Sequence, residues 1–360
     1  MTNKSIFITG ASGYIGGSIL SNLLRTKEQW ATSLHISALV RTEVQAEIVT
    51  KLGVSPVMFK SFDELERLEQ VGEEYDIIIH AGAGWHTASA KALITGQGRR
   101  RQKSRTKVHY FQISGTSNLS DRPHTAGYVN TNLFSDEEDI FSYEKYRESC
   151  EVYLQRTTDI AVVETGEAWD VTTYIVMAPT IFGLGSGPIN RYSIQLPSLI
   201  ADALKDGGCS VVETGQTVWS HVHIEDLSTL FVVLVQKIIE DTPIPSGRRG
   251  IYFCETGEHT HFEFSERLAK AGFELGLFKS AEVKTISLQL AGDKWAFGNP
   301  SRAELAFSSN ARTKATIGRQ IGWSPSHDGE WESTFHTELR EFLKSPPAKR
   351  DIPQVLLHKK

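Results

Sequence analysis

Two rhythms of apolar residues divide this chain. In the first half, short runs without polar alternation recur roughly every thirty residues, as strands covered on both faces do. They fall at 6–8, His35–Val40, 54–59, 75–81, 108–113 and Thr172–Ala178. Between them the apolar positions take helical spacing, at 14–24, 44–52, 63–71 with Leu65 and Leu68 on one face, 88–95 and 147–167. Such alternation predicts an α/β protein built on a doubly wound parallel sheet. Two stretches depart from it. Residues 118–146 are polar, with an acidic knot at Asp136-Glu137-Glu138-Asp139, and read as a long loop over the sheet's edge. Past residue 184 the order becomes irregular, with helices expected at 196–204, 227–239, 262–275 and 328–343 and short strands at 209–213 and 250–254. The expected organisation is a first domain over 1–184, a smaller α+β subdomain over 185–345, and a mobile tail over 346–360 marked by Pro346, Pro347 and Pro353.

Charge and composition remove several function classes. A net charge of −5 and a pI near 6.2 give no general attraction to nucleic acid or anionic membrane, and neither is expected as a partner. The basic run Arg99-Arg100-Arg101-Gln102-Lys103-Ser104-Arg105 has no interleaved aromatics and reads as a solvated loop. No stretch is long and apolar enough for a membrane span, and Ile6–Ile8 is too short for a signal peptide. Cys150, Cys209 and Cys254 are odd in number and far apart, so no disulfide framework and no metal site are expected, and a reducing, cytoplasmic setting fits.

The candidate chemistry starts where the first run breaks, at Thr9-Gly10-Ala11-Ser12-Gly13-Tyr14-Ile15-Gly16. Glycines three apart between a strand and a helix let the chain turn sharply and bring bare N–H groups to the pyrophosphate of a dinucleotide. Gly10, Ser12, Gly13, Tyr14, Ile15 and Gly16 are therefore cofactor candidates. At the end of the second strand stands Arg41, where an acid would serve the ribose of NAD and an arginine the 2′-phosphate of NADP. NADP is expected, with NAD the alternative. His80-Ala81-Gly82-Ala83-Gly84 closes the fourth run with small residues that leave room for a ligand, and His80 itself reads as a packed residue. Ser114-Gly115-Thr116-Ser117 forms a hydroxyl cluster at the end of the fifth, and Pro179 ends the run after that.

In this order and spacing the segments resemble the extended short-chain dehydrogenase/reductases, the NAD-dependent epimerase/dehydratase type. The match spans roughly 5–345. The glycine motif carries it, joined by His80–Ala83, Ser114–Thr116, Pro179-Thr180-Ile181-Phe182-Gly183 and Val222-His223-Ile224-Glu225-Asp226-Leu227. The resemblance implies that Ala81, Gly82, Ser114 and Pro179 line the cofactor, that Thr116 polarises a substrate carbonyl, and that 219–256 returns to the nucleotide-binding domain. The glycine motif together with Arg41 is also similar to the NmrA-like branch, which includes NADP-binding regulators.

Such a fold uses a tyrosine with a lysine four residues later, the lysine lowering the tyrosine's pKa. No tyrosine here has that lysine. Tyr143 is followed by Arg147, Tyr146 by Cys150, Tyr153 by Thr157, and a register two residues on places Gln155 and Asp159 at the pair's positions. Tyr153 stands at the expected distance before Pro179 and is the candidate acid, in an atypical active site. The expected function is an NAD(P)-dependent oxidoreductase or epimerase acting on a small carbonyl or hydroxyl compound. The alternative is a catalytically impaired NmrA-like sensor. Arg191, Trp219, His221 and His223 are candidate pocket residues or packing residues, and a homodimer is compatible with the sequence.

Overall fold

The computed structural model describes residues 4–347. The apolar runs become seven strands: β1 Ser5–Thr9, β2 His35–Val40, β3 Ser55–Met58, β4 Ile77–His80, β5 His109–Gly115, then Thr172–Ala178 and Ile251–Phe253. From one edge to the other the order is Ile251–Phe253, Thr172–Ala178, β5, β4, β1, β2, β3, with every pairing parallel. After β3 the chain jumps back across β1 to begin β4. The order therefore reverses between β1 and β4, which opens a crevice at their carboxyl ends.

Helices cover both faces, which is why Ile6, Phe7, Ile8, Ile77, Ile78 and Ile79 are all fully buried. They are α1 Tyr14–Arg25, α2 Glu43–Lys51, α3 Leu65–Gly72, α4 Thr87–Ser104, α5 Ile140–Cys150 and α6 Leu154–Trp169. Helix Ile224–Ile239 packs against α1, and Ile251–Phe253 adds the edge strand, so this late segment lies on the body built on the seven-stranded sheet.

A second body has its own apolar cluster, with Phe182, Leu196, Ile200, Phe264, Leu268, Trp331, Phe335 and Leu339. Helices Gln195–Asp206, His261–Glu274 and Trp331–Lys344 supply most of it. Strand Val218–His223 ties it to the first body, since it pairs in parallel with Thr180–Phe182, just past the end of Thr172–Ala178.

Three expectations are corrected. The basic run is helical and not a loop, because α4 continues through it to Ser104 with a carboxylate facing each of several cations: Arg100 meets Asp76 at 2.7 Å, Arg101 meets Asp170 at 2.8 Å, and Lys103 meets Glu73. Residues 118–146 are not one loop. They hold a short strand, Leu133–Ser135, paired with Arg312–Lys314, and the start of α5, which Asp139 caps by accepting from the Ser142 N–H at 3.0 Å. The helix expected at 147–167 is two helices, broken at Glu151–Tyr153, where Tyr153 is extended. Helices Leu288–Trp295 and Pro300–Phe307 were without a sequence signal strong enough to place them. Of the expected tail, all but 346 and 347 lies outside the described residues.

Helices α3 and α4 approach through glycine. A Cβ on Gly96 would stand 2.0 Å from the Glu69 carbonyl oxygen, and one on Gly72 2.4 Å from that of Leu93. Gly96→Ala is expected to destabilise the fold by about 1–3 kcal/mol through this overpacking, despite alanine's better helix propensity. Urea unfolding monitored by circular dichroism checks it, and an unchanged midpoint would show that the helices separate at no cost.

Candidate active site

The crevice is floored by the turn between β1 and α1. Gly10 has φ +72°, and a Cβ there would lie 2.7 Å from the carbonyl carbon and oxygen of Ala81. A Cβ on Gly16 would lie 2.4 Å from the Gly10 oxygen. Only glycine satisfies both approaches. Among the described residues no side chain caps α1, whose N-cap is Gly13, and its first turn carries no acid. The first N–H groups and the positive end of the helix dipole thus face the crevice without a built-in anion, a geometry that fits a pyrophosphate. Ser12 and Ile15 flank this end, and Tyr14 turns away from it, donating from its hydroxyl to the Gly183 oxygen at 2.6 Å.

Thr9 holds the neighbouring strand end in place. Its hydroxyl oxygen accepts from the Gly82 N–H at 3.0 Å and meets His80 Nδ1 at 2.8 Å. His80 also reaches the Ser89 hydroxyl at 3.3 Å, is fully buried, and is pushed down to about 3 by burial. It is a neutral packing residue. Arg41 stands at the carboxyl end of β2 with its side chain exposed, its backbone N–H given to Gln45 Oε1 at 2.8 Å.

At the end of β5 the hydroxyl cluster divides. Thr116 Oγ1 is buried with no hydrogen-bond partner among the described residues. Ser117 instead faces α6: it accepts from the Tyr153 hydroxyl at 3.2 Å and donates to Gln155 Oε1 at 2.9 Å. Burial raises the Tyr153 phenol above its ordinary value, so it holds its proton. Gln155 is wedged between the ends of β4 and β5, since a Cβ on Gly84 would stand 3.1 Å from its Nε2 and one on Gly115 3.2 Å from its Oε1.

One turn along α6, Asp159 accepts from Ser114 and from Asn118 Nδ2, the latter at 2.7 Å. The same Asn118 nitrogen donates to Glu144 of α5 at 2.8 Å. Both carboxyls are fully buried. Burial, foremost, pushes Asp159 up to about 8, and burial with the adjacent Asp159 raises Glu144 well above the carboxylate range. Asp159 Oδ2 collects the donors. The sequence carried a signal for Gln155 and Asp159, their four-residue spacing on one helix face. It carried none for Glu144, which reaches them from another helix.

The profile of the NAD dependent epimerase/dehydratase family matches residues 6–244. The chain belongs to that family. Among curated proteins it is 26% identical over 338 residues to the "Oxidase ucsJ" of Acremonium sp, covering 89% of this chain and 93% of that one. It is 31% identical over 86 residues, 24% of each chain, to a decarboxylating sterol-4-alpha-carboxylate 3-dehydrogenase of Dictyostelium discoideum. Among solved structures, the dTDP-glucose 4,6-dehydratase DesIV of Streptomyces venezuelae, with NAD and TYD bound, superposes with a TM-score of 0.63 at 13% identity, covering 95% of this chain and 97% of that one. PbgP3 of Burkholderia pseudomallei gives 0.66 at 11% identity, covering 96% and 98%. At these identities the structural likeness is one of fold. Within this family fold, α6 carries Gln155 and Asp159 at the four-residue spacing, and the tyrosine two positions earlier is the one that reaches the hydroxyl cluster.

The buried carboxyls make stability depend on pH. Asp159 rises from an ordinary 3.8 to about 8, and Glu338 and Glu255 from 4.5 to about 7, each mainly by burial. A raised carboxyl favours the folded state while protonated, so its contribution is full below about pH 4 and is lost as pH rises through 7 to 8. Asp159→Asn should flatten this fall, read as melting temperature against pH from 5 to 9. A slope identical to the wild type would exclude Asp159 as its source.

Proposed function

We propose that this protein is an NAD(P)-dependent oxidoreductase acting on a small carbonyl or hydroxyl compound, with NADP as the favoured cofactor. The observation that carries the reading is the uncapped, acid-free N-terminus of α1 at the carboxyl end of β1, where Gly10 and Gly16 leave no space for side chains. The backbone N–H groups of Ser12 and of Tyr14–Gly16 would hold the pyrophosphate, that of Gly13 being given to the Gly10 oxygen at 2.8 Å; Arg41 would hold the 2′-phosphate, and Ala81, Gly82, Ser114 and Pro179 the nicotinamide half. When bound, such a cofactor supplies a hydride to a carbonyl carbon or takes one from a carbinol.

The protein's own contribution is the proton. Tyr153, kept protonated by burial, gives its single O–H to Ser117 in the substrate-free protein and would turn it to the substrate oxygen, the phenolate then regaining a proton from water, while Ser117, donating to Gln155, keeps the phenol beside the hydroxyl cluster. Thr116 lies beside Ser117 as a further hydroxyl. Without a lysine to lower its pKa, Tyr153 serves better as an acid than as a base, so carbonyl reduction is the favoured direction.

One observation favours a second reading, a sensor that binds the dinucleotide without turning it over. In the register two residues past Tyr153, Asp159 stands at the position where the family resemblance implies a lysine, and Glu144 adds a second buried carboxyl beside it.

With NADPH and a panel of ketones and aldehydes, the first reading expects cofactor oxidation that falls by about 10²-fold or more in Tyr153→Phe, and by less in Ser117→Ala and Thr116→Ala. Equal rates in wild type and Tyr153→Phe would remove the assigned acid, whereas tight binding without any turnover would establish the sensor. Arg41→Ala should weaken NADPH by about tenfold relative to NADH in fluorescence titration, the value of a charge-assisted bond to phosphate. Equal losses for both cofactors would make Arg41 a surface residue.

A further inference from the structure

Beside the glycine turn runs a segment, residues 183–191, that belongs to neither body's regular structure. It is closed on itself by the Gly185 N–H to the Arg191 oxygen at 2.8 Å and by Arg191 Nε to the Gly185 oxygen at 2.7 Å. It lies along the start of α1. The Asn190 N–H donates to the Ser12 oxygen at 3.2 Å, the Ser21 hydroxyl donates to the Ser186 oxygen at 2.8 Å, and a Cβ on Gly17 would stand 3.1 Å from the Gly187 Cα.

This strap is gripped at its first residue from both sides. The Gly183 oxygen accepts from the Tyr14 hydroxyl of α1. The Gly183 N–H donates to Glu338 Oε1 at 2.8 Å, and Glu338 comes from the last helix, Trp331–Lys344, of the second body. Gly183 sits at φ +86° with no room for a side chain, since a Cβ would lie 2.1 Å from His223 Nε2.

Glu338 is fully buried and, among the described residues, pairs with no cation and has Thr334 Oγ1 as its one other donor, at 3.0 Å. Its Oε2 has no partner among the described residues. Burying a carboxyl so poorly served is costly, and a leucine would fill the same helix position without that cost. The group's visible work is to hold the strap.

We propose that Glu338 is a positioning residue that latches the 183–191 strap against the glycine turn and so sets how long a bound dinucleotide stays. The proposal rests on the cofactor reading above. It makes the substrate-side body a determinant of cofactor release through one hydrogen bond, without any contact between Glu338 and the cofactor. Side-chain identity at 338 should matter only through its acceptor oxygen.

The test is stopped-flow release of NADPH, followed by its fluorescence, in wild type, Glu338→Ala, Glu338→Gln and Tyr14→Phe, with melting temperatures measured alongside. Glu338→Ala should release NADPH about tenfold faster, as leaving a buried N–H without its acceptor would give. Glu338→Gln keeps an acceptor oxygen and should stay within about twofold of wild type, even if its melting temperature changes. Tyr14→Phe cuts the other end of the same residue and should also speed release, with the double variant Tyr14→Phe/Glu338→Ala little faster than the faster single one. Wild-type release in Glu338→Ala overturns the latch, as does a loss in Glu338→Gln equal to that in Glu338→Ala. If Glu338→Ala does not fold, wild-type release in Tyr14→Phe overturns it alone. A wild type that binds no dinucleotide overturns the cofactor reading first and this one with it.

Discussion

The rest of the structure depends on how closely β1 passes β4. At their carboxyl ends the Gly10 backbone lies against Ala81 and Gly82, closer than any residue with a Cβ could come. Thr9 ties the same two strand ends together by accepting from the Gly82 N–H. That contact sets the tilt at which the chain leaves β1, and hence the axis of α1, whose next glycine, Gly16, packs back on Gly10. From α1 the constraint passes outward, through Gly17 to the 183–191 strap and through its outer face to helix Ile224–Ile239. Both bodies are thereby referred to one turn, residues 10–13.

At the other end of the crevice the electrostatics differ from what the family resemblance implies. A lysine there would lower a tyrosine's pKa and supply a cation. Here α6 offers an amide at Gln155 and a carboxyl at Asp159, and α5 adds Glu144 behind it. The two carboxyls can share this site only if at least one keeps its proton, because like charges at hydrogen-bonding range in a dry environment cannot both ionise. Asn118 mediates between them with one nitrogen, and Ser114 at the tip of β5 donates into the same cluster. Tyr153 precedes the helix proper, in extended conformation, and reaches Ser117 from there.

Most of this framework was legible in the sequence, because it is written in local patterns. Ile6–Ile8 and Ile77–Ile79 are apolar throughout since both sheet faces are covered, and the glycines of the first turn recur at spacings that only close backbone contact requires. What was illegible depended on partners remote in sequence. The run from Arg99 to Ser104 is helical because Glu69, Glu73, Asp76 and Asp170 lie opposite it, and none of these is within twenty residues of its cation. The break at Glu151–Tyr153 leaves no proline or glycine behind as a marker. It is stabilised by Glu148, which accepts from the Tyr153 N–H at 3.0 Å, and by Arg156, which donates to the Glu151 oxygen at 2.8 Å. The site inherited that uncertainty: the glycine turn could be placed residue by residue, while the position of Tyr153 relative to the hydroxyl cluster hung on a helix break that only tertiary contacts produce.

The irregular half of the chain is held by one device used repeatedly. Where there is no ladder to receive backbone N–H groups, a buried carboxylate receives them. Asp136, from the acidic knot, takes those of Phe253, Thr316 and Ile317; Asp121 takes those of Asn130 and Asn310; Asp226 takes those of Ser326 and His327; Glu304 takes those of His124 and Thr125. Apart from Asp121 and Asn130, nine residues apart, the acid and its donors are distant in sequence, so the bonds stitch 118–146 and the 300–327 region to each other and to the body built on the seven-stranded sheet. A carboxylate suits this role better than an amide, because it presents only acceptors and can face several N–H groups at once. The cost is desolvation, visible in the raised Asp136 carboxyl even with three backbone donors around it. Glu338 pays that cost for a single backbone bond. Measured against the others, it is under-used as a stitch, and the difference is what its grip on the strap beside the glycine turn has to account for.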